Sequence, residues 1–159
     1  MRRIYCDTIL HLHGRYNGGL IGRIGGKTKV EECWFDGEMT ARNYYSAGMV
    51  AQVGKGTLTM SNCLNTAKLI GLRKATQGLA GYVVAVGSNA KLILKDCLNA
   101  ITIESKNIKE VASLLTLCAA NARLEMENVI SLDTGYSAIC AIGNGAYTKG
   151  GVYQMAKEE

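Results

Sequence analysis

His11 and His13 are the only histidines in this 159-residue sequence. Standing two apart, they would lie on one side of a strand, an arrangement from which a metal could be ligated or a proton moved. No CxxC and no Cys/His pair at ligand spacing accompanies them, so they read as a solvated or capping pair and no metal is assigned. Chemistry on a polysaccharide would need two carboxylates facing one groove, or clustered acids around a cation with a basic residue. The chain has only Asp7, Asp36, Asp96 and Asp133 as aspartates. Asp36 and Asp96 fall in different columns of the repeat set out below. Glu31 and Glu127 share a column, but three coils separate them, about 14 Å at the stacking distance of strands. That is too far for a carboxylate pair. The chain is therefore read as a non-enzyme, with no catalytic residue and no cofactor.

Two further sets of residues could do something other than pack. Trp34, Phe35, Tyr44 and Tyr45 cluster within one coil and could form a stacking platform for sugar, the alternative being a core or cap contact. The six cysteines would suggest a disulfide framework in a small secreted chain. Their spacing points elsewhere: Cys33, Cys63 and Cys97 fall in one column, where free thiols serve as small buried hydrophobes. Stacked cysteines come within disulfide range, but their parallel side chains suit the required dihedral poorly.

These residues are placed by an internal repeat, which governs the whole chain. "EECWFDG" from 31, "SNCLNTA" from 61 and "KDCLNAI" from 95 say nearly the same thing. Cys33, Cys63, Cys97 and Val129 anchor the successive repeats at nearly even intervals along the chain. Thr28, Leu58, Leu92 and Leu124 then share a column, and Val30, Met60, Leu94 and Met126 another, with polar residues mostly between. That period of two predicts a half-buried strand in each repeat. The alternation breaks at Glu32, Asn62, Asp96 and Asn128, a column of corner residues whose short polar side chains tolerate left-handed backbone. Asn62, Asp96 and Asn128 are its strongest members.

A second strand precedes each of these, in "GGLIGRIGG" from 18, "AGMVAQVGK" from 47, "AGYVVAVGS" from 80, "ASLLTLCAA" from 112 and "YSAICAIGN" from 136. It carries two aliphatic columns three positions apart. Either a glycine bulge lies between them, or one column faces outward. "GEMTA", "AKLIG" and "ITIES" supply a third strand after the anchor. Residues 106–117 have a helical composition, but the strand column runs through them.

Units of this kind stacked in one direction predict an all-β fold: a parallel β-solenoid, read as a right-handed β-helix of about five coils with repeats of about 24–34 residues. The chain forms one domain, with a partial coil or cap over 1–17, repeats over 18–145 and a C-terminal cap or tail over 146–159. Proline is absent, as suits strands with a neighbour on both sides, where it would delete a ladder donor. Cys6 precedes Gly18 by nearly the same interval as Cys33 precedes Ala47, so the chain is expected to begin in mid-coil, as a fragment or excised module.

The net charge is +5, but its basic residues are scattered, the densest stretch being "LRKAT" at 72–76. This favours a solvated surface over a nucleic-acid stripe. No apolar run is long enough to span a membrane. The opening "MRRIYCDTILHLHGRY" has too short an apolar stretch for a secretory signal, so an export signal would lie outside this sequence.

"GGLIG" at 18–22 and "NCLNT" at 62–66 resemble the GLUG-motif repeats, which pair a Gly-Leu-hydrophobic-Gly strand with an Asn-Cys-aromatic-Asn-Thr-Gly turn. "GLAG" at 78–81 matches the first motif too, although it begins two positions before the strand register of that coil. "ASLLT" lacks both glycines, and Val129 replaces the cysteine. Such repeats occur in large bacterial surface and secreted proteins, including immunoglobulin A-cleaving proteases, as accessory or stalk modules. The resemblance implies an extracellular or cell-surface β-helical segment and no active site.

Three function classes follow. The first is a structural or adhesive module that spaces neighbouring domains or meets a glycan or host surface protein. The second is a carbohydrate-binding or carbohydrate-active β-helix using Trp34 to Tyr45. The third is a fibre segment that forms homo-oligomers through open coil ends, with "KGGVYQMAKEE" as a blunt C-terminal cap.

Overall fold

The computed structural model describes residues 1–42, 45–72, 78–105, 111–119, 121–137, 139–142, 147–148 and 152–155. Within them every regular element is a β-strand, and strands pair in parallel with their counterparts one coil away. The chain is a β-solenoid of about four turns, against the five coils expected. Beyond the last complete turn, Arg123–Leu132 and Ile139–Ile142 extend two of the sheets, with no described strand added to the other two.

Four sheets wrap the core. The first holds Lys27–Glu31, Thr57–Ser61, Lys91–Asn99 and Arg123–Leu132, with the short strands Tyr5–Cys6, Trp34–Phe35 and Leu64–Asn65 beyond the corner. Tyr147–Thr148 and Val152–Met155 pair onto Arg123–Leu132, so part of the expected tail forms a further rung. The second sheet holds Ile9–Leu12, Glu38–Ala41, Lys68–Gly71 and Thr102–Ser105. The third holds Asn17–Gly18, Ser46–Ala47, Leu79–Ala80 and Val111–Ala112. In the fourth stand Ile21–Ile24, Val50–Val53, Val83–Val86, Leu115–Cys118 and Ile139–Ile142. Of the segment with helical composition, 111–112 and 115–117 are strand; 106–110 lie outside the described residues.

Alternation sets the inside of the first sheet. Leu58, Met60, Leu92, Leu94, Leu124 and Met126 are buried in the core, while Thr59, Ile93 and Glu125 between them point outward. The register matches the repeat, Thr28 to Leu58 to Leu92 to Leu124. In the fourth sheet both aliphatic columns enter the same core, Val50 with Val53 and Val83 with Val86. The paired register steps over Gly22, Ala51, Val84 and Thr116. A break in the ladder there turns the following column back inward. Only one of these four residues is glycine, so glycine is not what the bend requires.

Between the sheets the chain length varies at two places. From the second to the third sheet, the paths from Leu12 to Gly18 and from Ala41 to Ala47 are equally short, that from Ser105 to Ala112 is longer, and that from Gly71 to Ala80 is the longest. From the fourth to the first, the path lengthens coil by coil, from Ile24–Lys27 to Val53–Thr57 to Val86–Lys91. The rungs keep their length and the corners absorb the difference.

Candidate functional site

The corner of the first sheet sets which side chains reach the surface. Glu32, Asn62, Asp96 and Asn128 have φ of 54°, 52°, 50° and 51°, and Arg3 continues the column at 55°. This left-handed residue resets the alternation, so that Cys33, Cys63, Cys97 and Val129 just after it point inward and are buried. Trp34, Leu64, Leu98 and Ile130 point outward, and Phe35, Asn65, Asn99 and Ser131 are fully buried. At the corner, Asn128 Nδ2 donates to Asp96 Oδ1 at 2.9 Å. Glu32 receives both Arg2, at 2.7 Å, and Arg3, and these two guanidiniums hold its carboxyl below the usual range.

Inside, the column of Asn65, Asn99 and Ser131 is a hydrogen-bonded ladder. Asn65 Nδ2 donates to Asn99 Oδ1 at 3.1 Å and to the Gly81 carbonyl at 2.7 Å. Asn99 Nδ2 donates to Ser131 Oγ at 3.2 Å and to the Ser113 carbonyl at 2.7 Å. Each carboxamide thereby satisfies a carbonyl that the bend into the fourth sheet aims at the core. Contact this close requires glycine opposite: a Cβ on Gly48 would lie 2.5 Å from Asn65 Nδ2, and one on Gly81 1.9 Å from the Ser113 carbonyl oxygen. In the coil below, Phe35 takes the asparagine's place under Gly19. This register also places the "GLAG" match: Gly81, and not Gly78, stands over Gly48 and Gly19.

Tyr82, fully buried, closes the ladder from the side. Its hydroxyl lies 2.6 Å from the Cys63 carbonyl oxygen and 2.9 Å from that of Leu98. Burial, with the Cys97 and Cys63 side chains beside it, pushes the phenol well above its ordinary value. Cys33, Cys63 and Cys97 are free thiols buried in the core, each donating to the carbonyl two positions earlier. The neighbouring Cys97 and burial push the Cys63 thiol up. Cys6 is a free thiol as well, but it pairs with Phe35 rather than with Cys33. The interval from Cys6 to Gly18 equals that from Phe35 to Ala47, so equal spacing marks the true column.

Outside, Tyr5, Trp34, Leu64, Leu98 and Ile130 follow one another rung by rung. Trp34 is 38% exposed and Tyr5 57%, with ring centroids 4.7 Å apart and planes tilted by 54°. The indole Nε1 donates to Thr66 Oγ1 at 2.7 Å, and the Thr66 hydroxyl donates to Asp36 Oδ1. The Tyr5 hydroxyl reaches Asp36 Oδ2 at 3.5 Å. Asp7, the residue after Cys6, stands one coil below Asp36. Partial desolvation against the neighbouring rung raises the exposed Tyr5 phenol, and the charges of Asp7 and Asp36 add to it. Beside this patch, ion pairs cross between coils: Lys91 with Glu125 at 2.6 Å and Lys95 with Glu127 at 2.9 Å.

Of the four aromatics expected to form a platform, the three described, Trp34, Phe35 and Tyr45, do not come together. Neighbours on a strand face opposite sides, so Phe35 lies in the core while Trp34 faces out. Tyr45 stacks on Tyr16 at 5.5 Å, with Arg15 and Arg23 over the Tyr16 ring. Tyr44 lies outside the described residues. Trp34's actual companions are Tyr5, Asp36 and Thr66. Of these, Thr66 belongs to the "NCLNT" stretch, and Tyr5 emerges only from the N-terminal register.

His11 is exposed on Ile9–Leu12, paired with Thr40, and His13 is exposed just beyond that strand. Among the described residues no group of three or more His, Cys, Asp and Glu side chains could hold a metal, and no helix is long and apolar enough to cross a membrane. Comparison with known proteins finds no family model, no curated protein and no solved structure that matches this chain.

Proposed function

We propose that the chain is a non-catalytic structural and adhesive module of a larger bacterial cell-surface or secreted protein. The observation that carries this reading is the outward column of Tyr5, Trp34, Leu64, Leu98 and Ile130, which puts apolar side chains at one position of each successive rung. A rigid strip of that kind suits lateral attachment to a glycan or host surface protein, with neighbouring domains held apart by the stack. The resemblance to GLUG-motif repeats supports it. In "GGLIG" and "NCLNT" the motif glycine and the motif asparagine have a common physical role, since equivalents of the two touch across the core at Gly48 and Asn65.

Retention of the chain on immobilised serum glycoproteins tests the adhesive reading. Retention that falls when Leu64 and Leu98 are both replaced by Ser is expected, with the circular dichroism of the fold unchanged. Indifference to that replacement overturns the strip's role.

A second reading, end-to-end assembly, is favoured by the first rung. Among the described residues, Tyr5–Cys6 and Ile9–Leu12 pair on one side only, and Ile9 is 69% exposed. Unpaired strand edges with apolar side chains recruit other strands. Light scattering separates the readings: a mass near 17.1 kDa at all concentrations favours the module, and a mass that grows with concentration favours the fibre.

A further inference from the structure

We infer that the Tyr5–Trp34 ring pair, with the Asp36 carboxylate fixed beside it by Thr66, is a binding site for a neutral pyranose unit of a polysaccharide; this rests on the adhesive reading and names its ligand. Two tilted rings 4.7 Å apart offer an apolar surface against which the C–H face of a sugar ring can lie. A carboxylate at the rim of such a surface is the acceptor that sugar hydroxyls need. Charge-assisted hydrogen bonds to it are about twice as strong as neutral ones.

The site is held in shape before any ligand arrives. Trp34 donates to Thr66, Thr66 donates to Asp36, and Tyr5 lies within reach of the other carboxylate oxygen. The bonds from Trp34 through Thr66 to Asp36 hold three side chains on two adjacent rungs, so binding does not have to order them. They also leave Asp36 unsaturated. A carboxylate offers about four acceptor positions; the Thr66 hydroxyl takes one of them, and the Tyr5 hydroxyl lies 3.5 Å from the other oxygen.

Charge selects among sugars. Asp7 and Asp36 both act on the Tyr5 phenol, and neither has a basic partner among the ion pairs described. Uronic acids and sulfated sugars would meet like charge here, whereas a neutral polyol meets an acceptor. Asp36 also sits where one hydroxyl already donates to it, and a sugar hydroxyl can continue that chain of donors.

Trp34 is the only tryptophan, so its fluorescence reports this site alone. The intact chain is titrated with cellohexaose, mannohexaose and laminarihexaose, and with oligogalacturonate and a heparin hexasaccharide as acidic probes. A saturable change in Trp34 emission with at least one neutral oligosaccharide, and a weaker response or none with the acidic ones, is expected. Asp36→Asn should weaken the neutral ligand about tenfold, and Tyr5→Ala about as much, both with unchanged circular dichroism. No response to a neutral oligosaccharide at millimolar concentration, or a preference for the acidic probes, overturns the inference. Retention on serum glycoproteins before and after enzymatic deglycosylation separates the two levels. A silent titration with retention that survives deglycosylation overturns the sugar site and keeps the adhesive module, while a silent titration with no retention on either surface overturns both.

Discussion

The Asn65 side chain donates to Asn99 at 3.1 Å from one coil to the next, and both carboxamides are wholly shut off from solvent. Polar groups this deeply placed stabilise only when every partner is present, because an orphaned one keeps its full desolvation cost. Asn99→Ala strips a donor from the Ser113 carbonyl and Ser131, and an acceptor from Asn65. We expect a loss of about 3 kcal/mol, measured as the shift in urea midpoint at constant slope.

The glycines facing this ladder and those away from it should respond in opposite ways to one methyl group. Gly81→Ala drives a Cβ to within 1.9 Å of a backbone oxygen, and the cost should exceed about 3 kcal/mol. Gly25, with nothing within 4 Å of a Cβ, should accept alanine with a change under about 1 kcal/mol. Thermal unfolding of the two variants side by side checks this.

At the left-handed corner, backbone strain rather than side-chain contact should set the order of variants. Asn62, at φ 52°, should tolerate glycine with little change or a slight gain. Asn62→Val should lose about 1–2 kcal/mol, since a β-branched side chain crowds the following carbonyl in that conformation. Equal stability of the two variants would refute this account of the corner.

Tyr82 predicts the alkaline limit of the fold. Its phenol is raised in the folded state, so the folded chain holds that proton more tightly than the unfolded chain does. The resulting stability is complete below the ordinary tyrosine range near about 10 and is lost as pH rises from there towards the folded value. Phenolate absorbance in the near ultraviolet should show one tyrosine ionising late and together with unfolding. Tyr82→Phe should remove that late phase while lowering stability at neutral pH by about 1–3 kcal/mol, because the single hydroxyl proton shared between the Cys63 and Leu98 carbonyls is lost.

The solenoid itself was legible because its columns repeat: Leu58, Leu92 and Leu124 follow one another in sequence spacing and in space. The two inward columns of the fourth sheet were not decidable, since the break at Ala51 and Val84 involves no residue type that marks it. Asn65 and Asn99 stayed hidden for a related reason. A polar residue in an inward column reads as a turn, and nothing local reveals the carbonyl across the core that it serves, that of Gly81 for Asn65 and of Ser113 for Asn99. The platform around Trp34 was half visible. Strict alternation already separates Trp34 from Phe35, but Tyr5 joins it through a register that no repeated motif announces.

The unequal corner lengths carry a consequence for how such a molecule can change. The path from Gly71 to Ala80 is longer than that from Ala41 to Ala47, yet the rungs on either side remain in phase. Adding residues to an already closed loop costs little, about 0.6 kcal/mol for each doubling. The ladders therefore act as a fixed frame and those corners as open margins, in which new sequence can be written without rewriting the fold.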